Sequence, residues 1–212
     1  MNIKTLILQG EGEQLDFKNK ISSYEKIAKT LVAFANNKGG KLLVGVADNG
    51  QIKGVKNEDE ERYMLQQAGN LYCRPAIDIH FEEIYVDDKL ILLAEIAESD
   101  TKPHYALGED QKWWVYVRVR DKSMLAGKVV VDVLHQSSRP NGVFINYTDK
   151  EKELLAYMLS HPKSRLRELC EHLQLSRRKT QRILVNLIVA GVIDVHSGER
   201  EEYFSLSLSG TP

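Results

Sequence analysis

The stretch Leu31–Gly54, LVAFANNKGGKLLVGVADNGQIKG, admits few architectures. Apolar Ile27, Ala28, Leu31, Phe34 and Ala35 recur at the spacing of one helix face. Asn36 and Asn37 follow, then Gly39-Gly40, and a glycine in left-handed conformation ends a helix at little steric cost. Leu42 to Val46 form a short apolar run suited to a strand covered on both faces. Asp48-Asn49-Gly50 signals a turn, and Gln51–Val55 is expected to return as the second strand of a hairpin. The order is helix, glycine turn, buried strand, tight turn, strand.

The chain has 212 residues, enough for one large or two small domains. A hydrophobic share of 42% against 28% charged residues suits an ordinary soluble protein with a core. The formal net charge of −1 excludes a polycation, so any contact with nucleic acid must come from local clustering of charge. Cys73 and Cys170 stand far apart with no second Cys or His pair beside them. That excludes a disulfide framework and a structural zinc site of the usual spacing, and suits thiols in a reducing compartment. The early apolar run Leu6–Leu8 is too short for a secretory signal, and no segment approaches the ~20 apolar residues that span a bilayer. A cytoplasmic location without a membrane partner is expected.

The remaining elements follow from caps and breakers. Ser22 or Ser23 caps the helix that ends near Asn37, and Asn57 caps another that runs towards Cys73 and stops at Pro75. Leu15 and Phe17 alternate with Asp16 and Lys18 as in a half-exposed strand. Ile77, Ile79 and Phe81 alternate likewise, and Asp87-Asp88 turns the chain into Leu90–Ile96. Trp113–Val119 reads as one strand with Tyr116, Arg118 and Arg120 on one face, and Leu125–Gln136 has helical spacing. Ser137-Ser138-Arg139-Pro140-Asn141-Gly142 has the composition of a linker. Beyond it, Thr148 and Glu151 form a capping box, and Leu154, Leu155 and Met158 form an apolar stripe. Further helices are expected from Ser164 to Leu173 and after Ser176, and then strand, turn, strand through Val192–Val195 and Tyr203–Leu206. Three helices and a hairpin make the pattern of a winged helix-turn-helix. The expected organisation is an α+β domain over residues 1–137, a linker over 138–146, and a winged-helix domain over 147–208.

The run AFANNKGGKLLVGVADNGQIKGV resembles the Schlafen/AlbA-type nucleic-acid-binding domain in its Ala-Phe-Ala-Asn, Gly-Gly, apolar strand and Gly-Val-x-Asp elements. The upstream GEGEQLDFK, from Gly10 to Lys18, resembles that family's opening element. Lys102-Pro103-His104 and Trp114-Val115-Tyr116-Val117-Arg118 resemble its later ones. The resemblance covers roughly residues 8 to 137 and implies a mixed sheet with flanking helices. It also implies that Glu11, Asp16 and Asp48 stand where some Schlafen proteins carry the acids of an RNA-cleaving site. Three converging carboxylates would hold Mg²⁺ or Mn²⁺ and activate water. Asp16 stands where the family more often has Glu, which shortens its reach by one methylene. Each acid also has a plain alternative: a turn residue for Asp48, a solvated loop acid for Glu11, and an ion pair with Lys18 or Arg118 for Asp16.

The densest charge lies elsewhere. From Lys163 to Arg182 there are seven basic residues (Lys163, Arg165, Arg167, Arg177, Arg178, Lys179, Arg182) against Glu168 and Glu171. Arg177, Arg178, Lys179 and Arg182 open the second helix of the helix-turn-helix, whose first turns reach base edges. The plain alternative is a solvated face on a domain used to form a homodimer. In the first domain, Lys18, Lys41, Arg118 and Arg120 would make a phosphate-facing strip beside Trp113, Trp114 and Tyr116. No G-x-x-x-x-G-K-[ST] loop occurs, and the histidines lack ligand spacing. The expectation is a DNA-binding transcriptional regulator without a cofactor, with duplex DNA as partner and RNA as second candidate. The alternative is a metal-dependent endoribonuclease using Glu11, Asp16 and Asp48.

Overall fold

A helix buried on every side needs a cover on every side, and the second half of the helix Tyr24–Asn36 is such a stretch: each residue from Leu31 to Asn36 is buried. The computed structural model describes residues 3–138, 147–198 and 201–207 and divides the chain into two units, 1–125 and 126–212. The first unit opens with α1 (Ile3–Gln9), β1 (Leu15–Lys18), α2 (Tyr24–Asn36), β2 (Gly40–Val44) and α3 (Glu58–Leu71). It continues with β3 (Cys73–Arg74), β4 (His80–Val86), β5 (Lys89–Ile96), β6 (Tyr105–Leu107), β7 (Trp113–Trp114), β8 (Tyr116–Val119) and β9 (Lys122–Leu125).

Four strands form a mixed sheet in the order β1-β2-β5-β4, with β1 parallel to β2 and the other pairs antiparallel. Side chains alternate across it, as the pleat requires. Leu42, Val44, Leu92, Ala94 and Ile96 pack towards α2 and α3, together with Leu31, Phe34 and Leu65. Leu15, Phe17, Leu43, Ile91 and Leu93 pack on the other face, with Ile3, Leu6 and Ile7 of α1. The small strands β6 and β8 lie against α2 as well, which completes its burial. The same alternation turns Asp16 away from the Leu15 and Phe17 face and towards Thr30 of α2.

The Asn-Asn-Lys-Gly-Gly run is a structural knot. Asn36 Nδ2 donates to the carbonyls of His104 (3.0 Å) and Tyr116 (2.9 Å), and its Oδ1 accepts from His104 N–H (2.7 Å). Asn37 Nδ2 donates to Arg118 O at 3.2 Å, and Asn37 Oδ1 accepts from Arg118 N–H at 3.3 Å. Gly39 has φ +69, and a Cβ there would stand 2.6 Å from Ile96 O. A Cβ at Gly40 would overlap the Phe34 ring. At Gly39 the helix end and the sheet meet backbone to backbone, and at Gly40 the buried Phe34 ring takes the space of a side chain.

Several sequence-based expectations are corrected. Gln51–Val55 does not return as a strand of the sheet. Val46 and Ile52 form a single bridge, and Gly45 O accepts from Lys53 N (2.8 Å) and Gly54 N (2.9 Å). Gly45 and Gly54 have φ +95 and +82, which folds the segment across the end of β2. The place beside β2 goes to the more apolar β5. Trp113–Val119 is not one strand: β7 pairs with β6, β8 pairs with β9, and the chain changes sheets at buried Val115. Arg120 has φ +58 in the turn between β8 and β9 and so leaves the face of Tyr116. The strand expected at Ile77 begins only at His80.

The second unit holds α4 (Lys128–Ser137), α5 (Asp149–Ser160), α6 (Leu166–Leu173), α7 (Arg177–Val189), β10 (Ile193–Ser197) and β11 (Glu202–Leu206). The helix expected to close the first domain is therefore α4 of this unit, with Val129 and Val133 in its core beside Leu154, Leu169, Leu184 and Phe204. Residues 139–146 of the expected linker lie outside the described residues. Thr148 and Glu151 form the expected capping box. Gln174 in the left-handed region ends α6, and Gly191 (φ +73) ends α7. β10 and β11 form an antiparallel hairpin, and Ser164 bridges Phe204 in both directions (3.0 and 2.8 Å). Among the described residues, no helix is long and apolar enough to cross a membrane.

Candidate functional site

Glu11, Asp16 and Asp48 are brought together. They line one cavity of about 260 Å³ with Lys18, Thr30 and Arg118. The loop before β1 makes this possible: Gly12 N–H donates to Leu15 O (2.8 Å), which folds Glu11 back over the strand. Glu11 Oε1 accepts from Phe17 N–H at 2.8 Å. Asp16 is 4% exposed, and Asp48 sits exposed at the rim.

Both Asp16 oxygens are already engaged. Oδ1 accepts from Lys18 Nζ at 2.9 Å, and Oδ2 accepts from Thr30 Oγ1 at 3.4 Å and lies 3.6 Å from Arg118 Nη1. Arg118 is not a surface contact: its side chain is 1% exposed and lies over the Phe34 ring. Nη2 donates to Gly12 O (2.6 Å) and Leu15 O (3.4 Å), and Nη1 donates to Ser123 Oγ (3.3 Å). Arg118 thus ties β8 to the loop that carries Glu11. Its Nε has no partner among the described residues. Burial lowers the Arg118 pKa, and Asp16 and Glu11 act against that shift. Burial, with the Asp16 carboxylate as acceptor for a proton on Glu11, pushes Glu11 up to about 7. Two crowded carboxyls next to two cations form a charge knot.

A divalent ion does not fit this arrangement, because Asp16 gives its oxygens to Lys18, Thr30 and Arg118. Among the described residues, no group of three His, Cys, Asp or Glu side chains has the spacing to hold a metal ion. Lys26, Lys29, Thr30 and Ser123 also line the cavity, and none was singled out from sequence. The signal for Lys26, Lys29 and Thr30 was their i, i+3, i+4 spacing, which gives one helix face. Of the expected strip, Lys41 pairs with Glu95 (3.1 Å), and Trp113 and Trp114 are part-exposed on β7. His104 is buried between Pro75 O (2.9 Å) and Ser99 Oγ (2.7 Å), and burial lowers its pKa.

The second unit carries the basic cluster. Arg177, Arg178, Lys179 and Arg182 are exposed on the first turns of α7. Among the described residues, no carboxylate forms an ion pair with Arg178, Lys179 or Arg182. By contrast, Arg165 pairs with Glu201 (2.9 Å) and Arg167 with Glu171 (2.8 Å). Lys163 Nζ stands over the Tyr203 ring of β11. Arg178, Lys179 and Arg182 line a groove of about 830 Å³, whose other wall is α4. This wall was not foreseen from sequence.

Residues 11–127 match the model of the family described as Schlafen, AlbA_2. No curated protein matches. Among solved structures, the chain is similar to the DIP2311 protein from Corynebacterium diphtheriae, with 18% identity and a TM-score of 0.46. That match covers 70% of this chain and 33% of the other, so the chain spans about a third of that protein's length. It is similar also to the N-terminal domain of an ATP-dependent DNA helicase RecG-related protein from Nitrosomonas europaea. There the identity is 19%, the TM-score 0.45, and the coverage 70% of this chain and 98% of the other.

Proposed function

Since the chain belongs to the Schlafen AlbA_2 family, which ties it to a nucleic-acid-related function, we propose that it is a transcriptional regulator that binds duplex DNA through its second unit. In this reading α6 and α7 are a helix-turn-helix, and β10 with β11 is the wing. One observation carries it: Arg178, Lys179 and Arg182 are exposed, without ion-pair partners among the described residues, on the first turns of the second helix of that motif. Cations left unneutralised on a chain of net charge −1 suit a polyanion, since each phosphate contact releases counterions. Lys163, over the Tyr203 ring of the hairpin, extends the same charge towards the flanking backbone. RNA is the second candidate partner, and a homodimer would suit two half-sites.

The acid cavity of the first unit is read here as structural. Metal-assisted RNA cleavage would need carboxylate oxygens free for an ion and substrate held in line with the attacking water. Asp16 spends its oxygens on Lys18, Thr30 and Arg118 instead.

The test is selection from a random pool of duplex fragments, with and without Mg²⁺, scoring both retention and cleavage. Retention without cleavage is the expected result. Cleavage that requires Mg²⁺ and is lost in Asp48→Ala would move the function to the first unit.

A further inference from the structure

α7 is packed on two sides. Thr180, Leu184 and Leu187 face the core of the unit. The arc opposite Leu187 carries exposed Arg178 and Arg182 and then Val185, which is buried in the same core cluster as Val129 of α4. In a helix that reads a duplex, this outer arc enters the major groove. Here α4 lies along it. Val185 is 5% exposed although it points about 160° away from Leu187, at about 100° per residue.

Contacts at both ends hold α4 in place. Gln136 Nε2 donates to Asn186 Oδ1 at 3.2 Å near its C-terminus. At its N-terminus, Glu202 Oε1 accepts from Gly127 N–H at 2.9 Å. Between them Val129 and Val133 enter the core. A major groove is about 12 Å wide and takes one helix of about 10–12 Å diameter, not a packed pair.

We infer that α4 is a wall beside the reading face of α7: it leaves Arg178 and Arg182 exposed but covers Val185, and it must swing away before α7 can enter a DNA groove along its length. The inference rests on the reading of α7 as the DNA-contacting helix. Two features weaken α4. Four of its ten residues are valine, a poor helix former, and its cap Gly127 makes no side-chain bond. Apparent affinity for DNA is then the intrinsic affinity scaled by the fraction of molecules with α4 displaced.

The test uses the full chain with Gln136→Cys and Asn186→Cys in a Cys170→Ser background. A bis-methanethiosulfonate linker joins the two introduced thiols and is released by reductant. Binding to a fluorescent mixed-sequence duplex is measured before and after release. Locking α4 should weaken binding at least tenfold, and reductant should restore it. Val133→Ala, which removes core packing from α4, should strengthen binding about fivefold, in line with a methylene-scale loss of burial. Equal affinity of locked and released protein overturns the cover and leaves the DNA reading intact. If no form binds duplex, Val133→Ala included, the DNA reading itself fails and the cover falls with it.

Discussion

Replacing Glu11 by Gln should stabilise the first unit at neutral and alkaline pH. In the folded chain the Glu11 carboxyl is held between Phe17 N–H and the Asp16 carboxyl, and burial with that neighbour raises its pKa to about 7. Unfolding returns it to its ordinary value. Between those two values the folded state binds more protons, so stability is highest at low pH and is lost as pH rises through the folded pKa. The full rise from 4.5 to about 7 would correspond to roughly 3 kcal/mol. Glu11 is only half-buried, and solvent screening reduces this to about 1–2 kcal/mol. Gln keeps the acceptor for Phe17 N–H and donates to Asp16 at every pH, so it mimics the protonated acid. Both tryptophans, Trp113 and Trp114, lie in the first unit, so urea unfolding followed by their fluorescence reports on that unit alone. The variant should exceed the parent by about 1–2 kcal/mol at pH 8, and the gap should shrink towards pH 5. Burial also shifts Glu61 and His104, but both are common to the two proteins and cancel in the difference. A gap that stays constant from pH 5 to 8, or a variant less stable at pH 8, would refute the shared-proton account.

Asn36→Ala should cost about 3 kcal/mol or more by the same fluorescence assay, because it strands the buried N–H of His104 and two carbonyls. Gly40→Ala should destabilise by at least about 2 kcal/mol, since its methyl group would overlap the Phe34 ring. Transfer RNA incubated with the protein and Mn²⁺ should remain intact; cleavage abolished by Asp48→Ala would contradict the structural reading of the acids. Limited proteolysis should cut first within 139–146, where Pro140, Asn141 and Gly142 stand. The fragments should then co-elute in size exclusion, because α4 stays docked on α7; fragments that separate without denaturant would show that it does not.

What the sequence revealed, it revealed through short-range rules. Caps at Ser23, Asn57 and Thr148 and the Asp87-Asp88 turn are each set within a few residues, and the structure has each of them. Leu15–Lys18 is a strand as expected but not a half-exposed one: Leu15, Asp16 and Phe17 are all buried, because α2 covers the Asp16 face. Asn36 and Asn37 stood out only as part of a motif, because their partners at His104, Tyr116 and Arg118 lie far along the chain. Arg118 was misplaced for the same reason. An arginine in an aromatic strand looks solvent-facing until β8 closes over α2 and buries it. Composition marks Ser137–Gly142 as a linker, while the two compact units divide at Leu125–Ala126, where no polar run signals a joint. The valines of α4 gave no hint that their partner would be α7.

The central claim is DNA contact through α7, and its most direct test is the salt dependence of duplex binding by the parent and by Arg177→Glu, Arg178→Glu, Arg182→Glu combined. The logarithm of affinity should fall linearly with the logarithm of salt concentration for the parent, and each cation that contacts a phosphate contributes about one unit of slope. The triple variant, with circular dichroism unchanged, should lose measurable binding, or bind with a slope shallower by about three units. Binding by the triple variant with the parent's affinity and slope would contradict the account.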